Sequence, residues 1–249
     1  MNRAYDQVLL DVALHRAAVT FVLDRAGVTG DDGPSHNGMW DLSLFQTVPG
    51  LCIAAPRDAE QLREQLREAL ATDDGPTMLR YPKGAVPAPT VAIERIGRCE
   101  ILRKDDERDV LIVAVGSMVT CALDVAQRLT AQGIGVTVVD PRWVKPIDDE
   151  LVGLARSYRV VVTVEDNLRV GGVGSVLSQT MSDHMVDVPV RVFGLPTQFF
   201  GHAKRDQVLR DCGLTAQDIS RAVVELVAGL DAAAESATSR SAEPPARPN

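Results

Sequence analysis

Short, mostly apolar runs rich in valine alternate with helical segments through the second half of the chain, and this alternation restricts the fold most. The runs have the length of strands, and they lack the polar alternation of strands that face water on one side. We therefore predict an α/β architecture, a mainly parallel sheet with helices packed on its faces. The predicted strands are 110–115, 136–139, 160–164 and 188–193, and the predicted helices are 119–132, 148–156, 173–184, 204–212 and 216–230.

The first part of the chain carries a shorter version of the same alternation. Asp58 is the predicted N-cap of a helix, because its carboxylate can accept hydrogen bonds from the free amides of the first turn. The chain opens on a helix instead of a strand, which predicts that the first strands of this domain are missing. The predicted elements are helices at 3–15 and 58–71, strands at 18–23, 51–55 and 77–81, and a short helix or turn at 42–48.

Three prolines and a glycine between Pro82 and Pro89 mark a change in composition that is typical of a connection between domains. We divide the chain into a partial first domain at 1–85, a linker at 86–95 and a second domain at 96–230. The last segment, 231–249, is rich in Ala, Ser and Pro and has no apolar anchor, so we predict that it is disordered.

The charge and the cysteines exclude several classes of function. A formal net charge of -8 does not provide the basic surface that nucleic-acid binding requires, so the expected partners are small molecules or proteins. The four cysteines are far apart and form no CxxC pair, which indicates reduced thiols and predicts no metal site. With no apolar run of ~20 residues and no export signal, a cytoplasmic protein is expected.

A glycine-rich stretch from Asp24 to Asp41 follows the predicted strand 18–23 and is the candidate site. The carboxyl end of a parallel strand is where open α/β sheets bind ligands. Arg25, Asp32 and His36 provide charge and a group that can transfer protons near neutral pH. Two structural alternatives stay open: His36 could be a surface residue, and Arg25 could pair with Asp24 or Asp41 to close the loop.

Several motifs in register resemble the 1-deoxy-D-xylulose-5-phosphate synthases, a family of transketolase-like enzymes that depend on thiamine diphosphate. The resemblance covers about residues 1–229, and its specificity comes from the order and spacing of the motifs, since each one alone recurs by chance. The motifs are RAYDQ at 3–7, DRAG at 24–27, DGPSHNG at 32–38, RYPKG at 80–84, DPRWVKP at 140–146, and VEDN at 164–167 with GGVGS at 171–175.

The resemblance implies roles for five residues. Arg3 and Arg25 match basic residues that face the substrate pocket, where a guanidinium can bind a carboxylate or a phosphate. Asp32 matches an acid that orients substrate hydroxyl groups, and His36 matches a histidine that transfers protons near the reacting centre. Lys83 stands where many relatives have arginine, and it is expected to bind phosphate as a point charge.

The resemblance also implies an activity and its partners. Enzymes of this family are transferases that condense pyruvate with glyceraldehyde 3-phosphate and release CO2, in the biosynthesis of isoprenoids (terpenoids), thiamine and pyridoxal. Thiamine diphosphate and Mg2+ are the implied cofactors, and the chain would form a homodimer or a heteromer with a chain that carries the missing half.

The sequence departs from the family in one respect. The Gly-Asp-Gly motif with its downstream Asn, which holds the magnesium diphosphate, is absent, and so is the glutamate that activates the cofactor. We therefore expect a two-domain chain, a partial pyrimidine-binding domain followed by a transketolase C-terminal-like domain, that is inactive alone.

Other interpretations of the chain and of several residues remain open. The chain could be a non-catalytic or complementing subunit of a split transketolase-like enzyme, or part of another transketolase-like protein such as a 2-oxoacid dehydrogenase β-subunit. For Gly171–Ser175, close packing between a strand and a helix is preferred to phosphate binding. Glu165, Asp166 and Asn167 are unassigned, and Trp143 is read as a core residue.

Overall fold

The structure, a computed structural model, describes the backbone of residues 1–241 and the side chains of residues 1–233. The first part of the chain begins with a 3-10 turn (Asn2–Ala4) and a π-helix (Gln7–Ala13), where a single α-helix at 3–15 is predicted. The elements that follow are β1 (Thr20–Leu23), α1 (Asp41–Phe45), β2 (Cys52–Ala54), α2 (Ala59–Leu70) and β3 (Thr77–Arg80). Asp58 caps α2 as predicted, accepting hydrogen bonds from the backbone N–H groups of Glu60 and Gln61.

The second part of the chain contains the predicted alternation of strands and helices. Its strands are β4 (Glu94–Ile96), β5 (Cys99–Lys104), β6 (Val110–Ala114), β7 (Val136–Asp140), β8 (Trp143–Lys145), β9 (Val160–Leu168) and β10 (Val190–Leu195). Its helices are α3 (Val119–Thr130), α4 (Asp149–Ala155), α5 (Val173–Asp183), α6 (Arg205–Asp211) and α7 (Ala216–Ser241).

Two sheets organise these elements, and the predicted α/β class is confirmed. The larger sheet has the order β10-β9-β6-β7-β5-β4, in which β10, β9, β6 and β7 are parallel. Strands β5 and β4 form an antiparallel hairpin at its edge, which the sequence pattern did not predict. Because β4 begins at Glu94, the end of the predicted linker 86–95 belongs to this sheet.

The smaller sheet has the order β1-β3-β2-β8, and its fourth strand comes from the second half of the chain. Strands β1, β3 and β2 are parallel, whereas β8 runs antiparallel to β2, with Ile53 opposite Lys145. Three residues are too few to show a hydrophobic period, so the sequence predicts Trp143 as a core residue but not as part of a strand.

The core occupies both faces of the larger sheet and continues into the smaller one. One cluster of buried side chains lies under α3 and α7, and a second lies under α4 and α5. A third cluster joins the two sheets, with Ile53 and Met78 of the smaller sheet packed together with Val115, Val144 and Val173. The two domains therefore share apolar packing as well as a strand.

The end of the chain differs from the prediction. Helix α7 continues to Ser241, so residues 231–241 of the segment predicted to be disordered are helical, and residues 242–249 lie outside the described residues. The cause is local composition, because 231–241 contains four alanines and no proline, and Ala is the strongest helix former. Along the described chain, none of the helices combines the length and the apolar character that a membrane crossing requires.

Candidate functional site

The candidate site lies where β1 and β3 end, because parallel neighbours bring their carboxyl ends to the same edge of a sheet. Arg25 follows β1 and Lys83 follows β3, and both reach Asp32 in the glycine-rich loop. The ammonium nitrogen of Lys83 lies 2.8 Å and 2.9 Å from the two carboxylate oxygens of Asp32. The Nη1 atom of Arg25 lies 3.5 Å from Asp32 Oδ2. Three of the five predicted residues thus form one cluster of two cations and one anion.

The electrostatics of this cluster favour an ionised carboxylate beside two accessible cations. The hydrogen bond from Lys83 lowers the pKa of Asp32 below its ordinary value, and the charges of Arg25 and His36 add to the effect. The side chains of Arg25 and Lys83 are about half exposed, at 53% and 45%. With one positive charge in excess and open to water, the cluster can accept an anionic group from solution.

The other two predicted residues lie outside the cluster. His36 is exposed in the same loop, with its Nδ1 atom 3.0 Å from the hydroxyl oxygen of Ser35. Arg3 is exposed on the turn Asn2–Ala4, and its side chain has no hydrogen bond or ion pair in the part of the chain that the structure describes. The structure therefore brings together Arg25, Asp32 and Lys83, and it does not join Arg3 to them.

The loop that carries Asp32 has an internal scaffold. The backbone N–H of Gly38 donates to the carbonyl oxygen of Gly27 at 2.8 Å and closes the loop. The side-chain oxygen of Asn37 accepts from the backbone N–H of Thr29 at 3.0 Å and from its hydroxyl at 3.2 Å. Asn37 is buried, and it had no predicted role beyond its place in the motif.

Below the loop lies a buried network of charges that sequence reasoning left unassigned. Arg80, the last residue of β3, donates to Asp41 at 2.8 Å and lies 3.4 Å from Asp166 at the carboxyl end of β9. Asp166 also accepts from Arg205 at 2.7 Å. Burial opposes the charge of Asp166, but the two arginines lower its pKa, whereas burial raises the pKa of Asp41 despite Arg80. Asp41 is thus the partner of Arg80, and Arg25 pairs with Asp32 instead.

The glycines of Gly171–Ser175 serve close packing, as preferred from the sequence. Glu165 accepts hydrogen bonds at 2.9 Å from the backbone N–H groups of Val173 and Gly174, at the first turn of α5. A Cβ atom on Gly172 would lie 2.3 Å from the carbonyl oxygen of Leu168, so no side chain fits there. A buried internal carboxyl group therefore takes the amides that a phosphate would need.

The structure thus joins two α/β domains through a shared strand and places a cluster of two cations and one anion at the edge of the smaller sheet. Two family models match the chain: transketolase, pyrimidine binding domain, over residues 1–89, and transketolase, C-terminal domain, over residues 97–219. A solved structure titled "Split gene transketolase, inactive beta4 tetramer" superposes with a TM-score of 0.79 at 32% identity, covering 91% of this chain and 72% of that one. The chain belongs to the transketolase family.

The curated relatives narrow this assignment. The 1-deoxy-D-xylulose-5-phosphate synthase of Frankia casuarinae is 57% identical over 239 residues, which is 94% of this chain and 36% of that protein. The synthase of Streptomyces griseus is 58% identical over 246 residues, covering 98% of this chain and 38% of the relative. The resemblance to this synthase is confirmed, and the chain spans little more than a third of the length of these relatives.

A more distant structure supports the fold alone. The transketolase mutant H261F of Pichia stipitis superposes with a TM-score of 0.71 at 21% identity, over 88% of this chain and 32% of that one.

Proposed function

We propose that this chain provides the substrate-binding side of a 1-deoxy-D-xylulose-5-phosphate synthase-like transferase, which condenses pyruvate with glyceraldehyde 3-phosphate and releases CO2. The observation that carries the proposal is the cluster of Arg25, Asp32 and Lys83 at the carboxyl edge of the smaller sheet. The similarity to synthases over nearly the whole chain supports it, and so does the placement of His36 in the same loop.

Each of the five candidate residues has a proposed task. Lys83 and Arg25 bind the phosphate of glyceraldehyde 3-phosphate, because two exposed cations can share its oxygens. Asp32 keeps the two cations in place and accepts a hydrogen bond from a substrate hydroxyl group. His36 moves a proton to or from the oxygen of the aldehyde, since an imidazole ring nitrogen can donate or accept a proton. Arg3 contributes a further positive charge to anion binding from its own turn.

Thiamine diphosphate is the cofactor that the family implies, and it supplies the carbanion chemistry when it is bound. Its diphosphate requires a magnesium site. We propose that a partner chain supplies this site, because the Gly-Asp-Gly motif that the family uses for it does not occur in the sequence. The tasks proposed for this chain are accordingly those of groups that face the substrate.

A second chain is part of the proposal. The related split-gene transketolase forms an inactive tetramer of β chains in its solved structure. We propose that this chain is likewise inactive alone and that it acts in a heteromer with a chain that carries the diphosphate-binding domain. The alternative is a non-catalytic subunit that keeps the fold and the interface without turnover.

Reconstitution tests the proposal. The chain is mixed with a separately expressed fragment of the Streptomyces griseus synthase that holds the part this chain does not match, and product formation from the two substrates is measured. Turnover by the mixture that is lost with Lys83→Ala and retained with the surface variant Lys104→Ala supports the proposal. A stable complex without turnover supports the non-catalytic subunit, and turnover that is unaffected by Lys83→Ala contradicts the role of the cluster.

A further inference from the structure

The second domain contacts the glycine-rich loop at three successive glycines. Gly27, Gly30 and Gly33 all have positive φ angles, between 73° and 82°, and each faces a different group of the second domain. A Cβ atom on Gly27 would lie 2.1 Å from a carboxylate oxygen of Asp166. On Gly30 it would lie 2.7 Å from the backbone nitrogen of Arg205. The loop is thus packed against the second domain along the segment that leads to Asp32.

Polar groups of the second domain hold the loop at this contact. The Nη1 atom of Arg205, the first residue of α6, donates to the carbonyl oxygen of Val28 at 3.0 Å. Its Nη2 atom donates to Asp166 at 2.7 Å and to the hydroxyl oxygen of Ser117 at 3.3 Å. Further along the loop, Nδ1 of His202 lies 3.1 Å from the carbonyl oxygen of Asp31.

The position of Val28 matters for the cluster because it lies only four residues before Asp32, with a glycine between them. Glycine gives the backbone freedom, so the position of Asp32 depends on contacts from the second domain as well as on the internal hydrogen bonds of the loop. Arg205 provides such a contact at a buried carbonyl group, and Asp166 fixes the direction of its guanidinium. The same Asp166 pairs with Arg80, which lies three residues before Lys83.

We propose that Arg205 is a positioning residue for the anion-binding cluster. By bridging Asp166 and Val28, it keeps the carboxylate of Asp32 within ion-pair distance of both Lys83 and Arg25. This inference rests on the proposed function, since it assigns the cluster to phosphate binding. Arg205 itself does not touch the substrate, and its effect passes through the loop.

Because Asp166 pairs with two arginines, Arg205 can be replaced without leaving the buried carboxylate of Asp166 without an ion-pair partner. In Arg205→Ala, Asp166 keeps its pairing with Arg80, so the fold is expected to persist while the loop loses its bond at Val28. Arg205→Lys keeps the charge beside Asp166 but lacks the planar fork that reaches two acceptors, and it is expected to restore part of the effect. Arg210→Ala, in the exposed last turn of the same helix, is the matched control.

Titration of the full chain with inorganic phosphate, followed by 31P and backbone NMR, tests the inference. We expect phosphate to bind the unaltered chain, Lys83→Ala to abolish binding, and Arg205→Ala to raise the Kd about tenfold, the scale of one lost charge-assisted hydrogen bond. Arg205→Lys should lie between, and Arg210→Ala should bind as the unaltered chain does. Amide hydrogen exchange in Arg205→Ala should accelerate at residues 27–33 and stay unchanged in α3 and β6.

The outcomes separate the inference from the function on which it rests. If Lys83→Ala abolishes phosphate binding but Arg205→Ala leaves the Kd unchanged, the positioning role is overturned and the cluster stands. If exchange accelerates across the whole second domain, or if Arg205→Lys restores nothing, Arg205 is only structural and the inference is overturned. If the unaltered chain does not bind phosphate, or if Lys83→Ala binds it normally, the proposed function fails, and the positioning role fails with it.

Discussion

Gly30 shows at the scale of one residue why the loop needs glycine at particular positions. Its φ angle is 77°, in the left-handed region that residues with a Cβ atom avoid, and backbone atoms of the second domain lie directly against it. Both the local conformation and the tertiary contact therefore exclude a side chain. The sequence shows that a glycine stands at this position, but only the fold shows the second reason for it.

The energetic costs of the left-handed conformation and of the tertiary contact can be separated by comparing Gly30→Ala with Gly213→Ala. Gly213 has a φ angle of 68° but open space around its Cβ position, so Gly213→Ala should cost only about 1–2 kcal/mol of unfolding free energy. Gly30→Ala should cost about 1–3 kcal/mol more, because the neighbouring backbone must move. Denaturant unfolding measures both values, and equal losses would contradict the packing of the loop on the second domain.

The buried carboxyl group of Glu165 makes the stability of the folded chain depend on pH. Burial raises the pKa of Glu165 to about 8, although two backbone N–H groups favour the ionised form. The folded chain therefore binds a proton that the unfolded chain has released above its ordinary pKa of 4.5. The stabilisation that comes from this proton is fully present below pH 4.5 and is lost as the pH rises toward 8.

We expect the free energy of unfolding to fall by up to about 1.4 kcal/mol per pH unit from this group between those two pKa values. Glu165→Gln, which stays neutral, should remove that part of the slope. The measurement is urea unfolding from pH 5 to pH 8 for both proteins. Identical slopes would show that Glu165 is already ionised in the folded chain at pH 5.

At the scale of elements, Arg57 ties the connection between the domains to both of them. Its guanidinium donates twice to the carbonyl oxygen of Thr90, within the predicted linker, and pairs with the buried carboxylates of Glu100 and Asp140. Burial raises the pKa of Asp140 to about 6 even with Arg57 beside it. The connection is thus anchored in a buried network, which a stretch rich in proline and glycine does not reveal.

Arg57→Ala should destabilise the chain by about 3–5 kcal/mol, because it leaves the buried carboxylate of Asp140 without a cation and leaves Glu100 only its longer pair with Arg142. Arg95→Ala is the control: its pair with Glu64 is about half exposed, so the expected loss is only about 0–1 kcal/mol. Chemical denaturation followed by circular dichroism compares the two variants. A similar small loss in both would mean that the Arg57 network contributes little net stability.

At the scale of the whole molecule, the two domains share a strand and a core. Strand β8 comes from the second half of the chain and completes the smaller sheet, and the cluster that contains Val144 and Val173 packs against that sheet. Unfolding of one domain would therefore expose apolar surface of the other, which favours cooperative unfolding.

We expect a single unfolding transition for the chain. Circular dichroism reports mainly the helices of the second domain, whereas tryptophan fluorescence reports Trp40 in the glycine-rich stretch and Trp143 in the smaller sheet. The two denaturation curves should coincide. Separate midpoints would show that the shared strand and core do not couple the domains.

The sequence alone determined the α/β class, the main strands of the larger sheet, the capped helix α2 and the segments that carry the candidate residues. These features depend on local information: apolar runs, helical periodicity, a capping aspartate and motifs whose order resembles one family. The alanines of 231–241 also favour a helix locally. The prediction of disorder rested instead on the serines and prolines of the whole segment 231–249.

Only the tertiary structure decided which distant residues meet. It placed β8 in the smaller sheet, joined Arg25 and Lys83 through Asp32, left Arg3 apart from them, and brought Arg205 to the loop. Contacts between residues far apart in the chain have no period that a sequence can display. They depend on the register of the sheets and on the packing of the two domains. The glycine-rich stretch, which the sequence indicates as a site by itself, therefore also depends on contacts from the second domain.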